Sequence, residues 1–148
     1  MNEIKKILVP VDFSENSQKI LRSAIMLAGK FQAQLSVVFV VQSFDDYSGF
    51  FVPHIPIAQF EEEMVQAAQQ KMTAFVAETM DPALPHEATV LRGDVANEIL
   101  RHAEETGIDL IVMGTHGYKG LEKVLFGSVA EKVVKLAPCP VLTINPYH

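Results

Sequence analysis

Three runs of this chain, Ile7–Val11, Leu35–Val41 and Leu110–Met113, are apolar but for Ser36 and rich in β-branched residues, with no alternation of polar positions. A half-exposed strand would alternate, whereas a run of this kind fits a strand buried on both faces. Burial on both faces requires a parallel sheet with helices above and below it. A more polar run, His86–Leu91, reads as a strand nearer an edge. Pro138-Cys139-Pro140 breaks the chain before a last short run, Val141–Ile144.

Helix-period stretches separate these runs. Ile20, Ala24, Leu27, Ala28 and Phe31 recur at spacings of three and four, as in a helix laid on a sheet. Phe60, Met64, Ala67, Ala68, Met72, Phe75 and Val76 make a second stripe, in which Met64 and Met72 read as core filler. Asp94 is placed to cap a third helix that turns Ile99, Leu100 and Ala103 inward, with Gly107 as its stop. A last helix is expected over Ser128–Leu136. Repeated strand–helix–strand units with right-handed crossovers give an α/β fold, a doubly wound parallel sheet of Rossmann-like form. No linker or repeat divides the chain, so one domain over 1–148 is expected. The one long irregular stretch, 43–56, carries Phe44, Tyr47, Phe50 and Phe51 and suits a lid, a dimer contact or a satellite cluster.

Composition removes several classes of function. A net charge of -6 argues against a broad phosphate-backbone surface, so nucleic acid is not expected as a partner. Val37–Val41 is far short of the roughly 20 apolar residues a bilayer requires, and no membrane insertion is expected. The opening Met1-Asn2-Glu3-Ile4-Lys5-Lys6 leads directly into a strand, and the lone Cys139 suits a reducing compartment; a cytoplasmic location follows as an expectation.

In an open parallel sheet, ligands bind beyond the carboxyl ends of the strands, where strand order reverses. The loops to watch follow Val11, Val41, Leu91 and Met113, and only the last is glycine-rich: Gly114-Thr115-His116-Gly117-Tyr118-Lys119-Gly120, with Phe126-Gly127-Ser128 opening a helix. Glycines let backbone amides approach an anion, and a helix start adds free N–H groups and the positive end of a dipole. A plainer reading makes Ser128 and Glu131 a capping box and leaves the glycines as turn residues. Two familiar phosphate loops are excluded. The first strand ends in Val9-Pro10-Val11-Asp12-Phe13-Ser14 with no glycine, and no Gly-Lys-Ser/Thr follows Gly114.

The spacing Gly114-x2-Gly117-x9-Gly127-Ser128 resembles the nucleotide-binding motif of the universal stress protein family, in its ATP-binding branch. Ile7-Leu8-Val9-Pro10-Val11-Asp12-Phe13-Ser14, Asp109-Leu110-Ile111-Val112-Met113-Gly114-Thr115-His116-Gly117, Gly127-Ser128-Val129-Ala130-Glu131-Lys132-Val133 and Cys139-Pro140-Val141-Leu142 are similar to further segments of that family. Gly93-Asp94-Val95 departs from it, since many relatives carry proline two residues after the glycine. The resemblance implies a five-stranded, adenine-nucleotide alpha-hydrolase-like sheet and a homodimer built through the last strand. It also implies roles. Pro10 and Val11 would line the adenine pocket, Val40 would meet the adenine edge through its backbone, and Asp12 would accept from the ribose hydroxyls. Gly114 would contact the ribose side, and Gly117, Gly127 and Ser128 would hold phosphates, with Val129 adding an amide. ATP is the expected ligand, with AMP or cyclic AMP as alternatives, and Mg2+ would travel on the nucleotide's phosphates and water, joined by Ser128.

No catalytic residue is assigned. His116 lies in the glycine loop with nothing to orient it, and Lys119 and Lys123 read as solvated. His54, His86, His102 and His148 lack metal-ligand spacing. Asp12 has a plainer alternative as a helix-initiating carboxylate, and Cys139 reads as a buried inert thiol. The expected function is a nucleotide-dependent stress-response regulator with slow or partner-dependent hydrolysis at most and a protein partner not legible in the sequence. The alternatives are a true ATPase or phosphotransferase, and an interaction protein that binds no nucleotide.

Overall fold

The computed structural model describes residues 2–43, 57–115 and 127–147. Strands β1 (Lys6–Pro10), β2 (Gln34–Gln42), β3 (His86–Gly93), β4 (Leu110–Gly114) and β5 (Val141–Ile144) alternate with helices α1 (Glu15–Phe31), α2 (Ile57–Thr79), α3 (Val95–Glu105) and α4 (Ser128–Leu136). All strand pairs are parallel, in the order β3-β2-β1-β4-β5. The chain is therefore doubly wound, and β1, flanked by β2 and β4, marks where the strand order reverses. As expected, the polar third strand and the short last strand form the edges.

Each face of the sheet has its own core. Ile7, Val9, Leu35, Val37, Leu110 and Val112 pack with Ile20, Leu21, Ala24 and Ala28 of α1 and Met72 and Phe75 of α2. Leu8, Val38, Ile111 and Met113 pack with Ala96, Ile99 and Ala103 of α3 and Ala130 and Val133 of α4. Alternation along each central strand thus sends neighbouring side chains to opposite cores, which is why those runs look uniformly apolar.

Several elements differ from expectation at their margins. β1 ends at Pro10, so Val11 falls outside it, though its N–H still bonds Val38 C=O of β2. Phe31, Phe60 and Ala67 leave the expected stripes: Phe31 and Phe60 are 42% and 45% exposed, and Ala67 is exposed. All three lie on the solvent flank of helices whose buried arcs are narrower than their apolar arcs. Met72 is buried as filler, and Met64 half-buried. Gly107 does stop α3, with φ +67° and Ile108 N–H donating to Ala103 C=O at 3.0 Å. Asp94 caps the same helix by accepting from Asn97 N–H at 3.0 Å. The stretch 44–56 lies outside the described residues.

At the amino end of the sheet, His102 reaches from α3 to within 3.4 Å of Ser36 Oγ, in a small polar depression shared with Lys6, Glu87 and Thr106. Burial, seconded by Arg101, holds its imidazole below the usual value, against the opposing pull of Glu105, Glu87 and Glu98. A depressed folded-state pKa leaves stability unaffected above the unfolded value. Below it the unfolded chain takes up a proton the folded chain refuses, and stability falls until the folded pKa is passed. Melting temperature should therefore drop as pH goes from about 7.5 to about 5, starting near the ordinary histidine pKa of about 6.5. Circular dichroism melts of His102→Gln should show a shallower drop than the parent.

Candidate functional site

The site is built on what β1 does at its carboxyl end. Val11 N–H donates to Val38 C=O at 2.8 Å, so Val11 turns its backbone toward β2. Alternate residues of a strand turn to opposite neighbours, so Pro10 faces β4, where it has no N–H to give. The register between β1 and β4 accordingly holds only for Ile7↔Leu110 and Leu8↔Ile111, while β1 and β2 stay paired to Pro10↔Val38. Beyond these points a lane opens at the reversal of strand order, where ligands of such sheets sit.

Residues from both neighbouring strands look into that lane. Val40 lies two positions past Val38 and turns its N–H and C=O to the same side, where β1 has ended. On the other flank, Thr115 N–H donates to Ile144 C=O at 2.9 Å, so Gly114 turns its own backbone toward β1. Val11 and Val40 are each 8% exposed, one in each core, and Pro10 is half-buried between them.

Asp12 occupies the mouth. Its Oδ1 accepts from Ser14 N–H at 3.0 Å and from Ser17 Oγ at 2.7 Å, and also from Ser14 Oγ in a short contact. Ser17 Oγ in turn accepts from Asp12 N–H at 2.8 Å. Ser14 is the N-cap of α1, accepting from Ser17 N–H at 3.2 Å. The carboxylate therefore does help to start the helix, but only one of its oxygens is used; Oδ2 accepts no hydrogen bond from any described residue.

Phe13 makes this turn at φ +66°, a left-handed conformation that costs a non-glycine residue roughly 1–2 kcal/mol. Its ring stacks on Phe39 at 4.5 Å and meets Phe75 edge-on at 5.7 Å. Pairs of this kind contribute about 0.5–1.5 kcal/mol each, enough to offset the strain. Strain of this sort clusters at functional sites, and here it aims Asp12 away from the core.

The described part of the expected phosphate motif is Gly127, Ser128 and Val129. Gly127 N–H donates to Thr115 C=O at 2.8 Å, bringing both ends of the glycine loop together. The capping box of the plainer reading is absent. α4 starts at Ser128, its N-cap is Gly127 with no side-chain cap, and Glu131 N–H bonds Gly127 C=O at 3.0 Å. Ser128 is one residue too far along the chain to cap the helix, so its exposed side chain does not take up the first-turn amides. Gly127 has an ordinary φ of -70°, and a Cβ there would meet nothing closer than Thr115 O at 3.7 Å. Neither φ nor packing among the described residues demands glycine at that position. Gly117, with His116, Lys119 and Lys123, lies outside the described residues.

Sequence reasoning missed Ser17, Phe13 and Glu61. The spacing Asp12-x-Ser14-x2-Ser17 was a usable signal, being an Asx turn followed by a cap. Glu61 is 4% exposed and accepts from Ser43 Oγ at 3.2 Å at the carboxyl end of β2, yet nothing distinguishes it in Glu61-Glu62-Glu63. Cys139 is half-buried, and burial holds its thiol above the usual value. No group of three or more metal-ligating side chains occurs among the described residues.

The family model described as the universal stress protein family matches residues 3–145. The chain belongs to the universal stress protein family. It is 38% identical over 151 aligned residues to universal stress protein MJ0531 of Methanocaldococcus jannaschii, covering 97% of this chain and 84% of that one. It is 34% identical to universal stress protein YxiE of Bacillus subtilis, covering 95% and 98%. Universal stress protein UspA from Lactobacillus plantarum shares the fold with a TM-score of 0.75 and 29% identity, over 97% and 99% of the two chains. Two more distant members, at 21% and 23% identity and TM-scores of 0.63 and 0.68, were solved with cAMP and, for the one from Archaeoglobus fulgidus, with dAMP; they share the fold.

Gly127→Ala should leave stability within about 0.5 kcal/mol of the parent in urea unfolding. Loss of a good N-cap and the reduced entropy of the unfolded chain are of similar size and opposite sign. A loss above about 2 kcal/mol would show that the glycine serves packing.

Proposed function

We propose that this universal stress protein binds ATP, as a nucleotide-dependent stress-response regulator made of one domain over 1–148. The observation that carries the reading is the lane beyond the end of β1, with a carboxylate oxygen that no described residue engages at one end and helix amides without a side-chain cap at the other. In this reading Pro10 and Val11 line the adenine pocket, and the Val40 backbone meets the adenine edge. Asp12 Oδ2 takes the sugar hydroxyls, with Gly114 beside it. Gly117, Gly127, Ser128 and Val129 hold phosphates. The amides suit an anion in a chain of net charge -6, because local dipoles must supply what the overall field does not. Distant relatives of the same fold were solved with cAMP and dAMP, which supports an adenine ligand and keeps AMP and cyclic AMP as the second reading. Mg2+ would be carried by the phosphates and water with Ser128. Efficient turnover would need a positioned base and a cation at the transferring phosphoryl group; Arg92 and Arg101 lie on β3 and α3, off the lane.

Calorimetry with ATP, AMP and cyclic AMP, with and without Mg2+, tests the site. Micromolar ATP binding that falls at least about tenfold in Gly127→Val, in a protein that still melts cooperatively, is the expected result. Binding of none of the three would overturn the reading. ATP hydrolysis clearly above background by the purified protein would favour the ATPase reading instead.

The homodimer is proposed on β5. It is an edge strand, and Leu142 on it and Val134 and Leu136 on α4 are 40%, 46% and 61% exposed. Unpaired edges with apolar side chains tend to be covered. Light scattering should give twice the chain mass, and Leu142→Lys should shift it to the monomer.

A further inference from the structure

Asp12 is held more firmly than a helix-starting carboxylate requires. Ser17, 7% exposed, grips the residue at both ends, donating to Oδ1 at 2.7 Å and accepting from the backbone N–H at 2.8 Å. With Ser14 N–H and Oγ on the same atom, Oδ1 already takes three donors. A carboxylate oxygen has about two lone-pair directions, so Oδ1 has no capacity for a further donor. Oδ2, with no partner among the described residues, is the oxygen left to accept a donor from a ligand. The carboxylate also cannot swing to offer the other edge without breaking all three bonds.

We propose that Ser17 positions Asp12 so that a single oxygen, Oδ2, is the sugar acceptor, and that the site therefore takes ribose and deoxyribose nucleotides alike but not a sugar with neither hydroxyl. The inference rests on Asp12 being the sugar contact. A carboxylate that offered one oxygen to each hydroxyl would lose a full charge-assisted bond when either hydroxyl was removed. Here either hydroxyl alone can reach the same oxygen, and only the loss of both leaves Oδ2 unpartnered. Ser17 touches no ligand in this scheme; it acts by holding the carboxylate.

The test is calorimetric titration of the full chain with ATP, 2′-deoxyATP, 3′-deoxyATP and 2′,3′-dideoxyATP. In the parent protein, each single removal should weaken binding less than about threefold, and removal of both more than about tenfold, the scale of one hydrogen bond to a charged group. Ser17→Ala should weaken ATP and leave 2′,3′-dideoxyATP unchanged, shrinking the ratio between them to below about threefold, and Ser17→Thr should restore the ratio. A merely structural role would weaken all four ligands together and overturn the proposal. So would a single-hydroxyl loss above about tenfold in the parent, which would mean a two-oxygen grip. If Ser17→Ala does not fold, Ser17→Cys, close to serine in size with a weaker donor, decides the positioning role. A parent that binds ATP while failing the sugar series overturns this inference alone; a parent that binds none of the four overturns the nucleotide reading as well.

Discussion

Pro10 has no amide hydrogen, and it stands where β1 would need one to stay joined to β4. Everything at the carboxyl end of the sheet follows from that missing donor. On the other side β1 keeps its partner one step further, through Val11 N–H to Val38 C=O at 2.8 Å. β1 is thus released from one neighbour before the other, and the lane forms on the side where strand order reverses. In the membership of a parallel sheet buried on both faces, an unpaired backbone group is costly. Among the described residues such groups occur at this end of the sheet, where Val40 and Gly114 turn their backbones toward the space beyond β1.

The next residues convert that opening into a directed site. Phe13 must adopt a left-handed turn so that Asp12 leaves the strand and Ser14 caps α1. The strain is held in place from beneath by Phe39 and Phe75, which belong to β2 and α2. One core is therefore part of the site's support: the same packing that seats α2 on the sheet keeps the Asp12 turn in its conformation.

The fold was largely legible because its signal is repeated. Uniform apolar runs separated by helical stripes admit few arrangements, and Gly107 and Asp94 marked the limits of α3 through chemistry that acts locally. The misses were of two kinds. Phe31, Phe60 and Ala67 looked buried because periodicity reports which flank is apolar, not how wide an arc the sheet covers. Ser128 looked like a cap because the spacing to Glu131 fits one, yet Gly127 holds the N-cap position, with its N–H bonded to Thr115 C=O. That bond joins residues twelve apart, and no local pattern encodes it. Of the proposed site, the sequence singled out Asp12, Gly127 and Ser128 by residue type. The division of labour between the two Asp12 oxygens was not legible, since it depends on the exact placement of Ser17 across a turn.

The bond from Gly127 to Thr115 also ties the end of a strand to the start of a helix. Through it the residue after β4 and the N-cap of α4 share one backbone contact, so a displacement of the helix start is felt directly at the carboxyl end of β4, and the reverse.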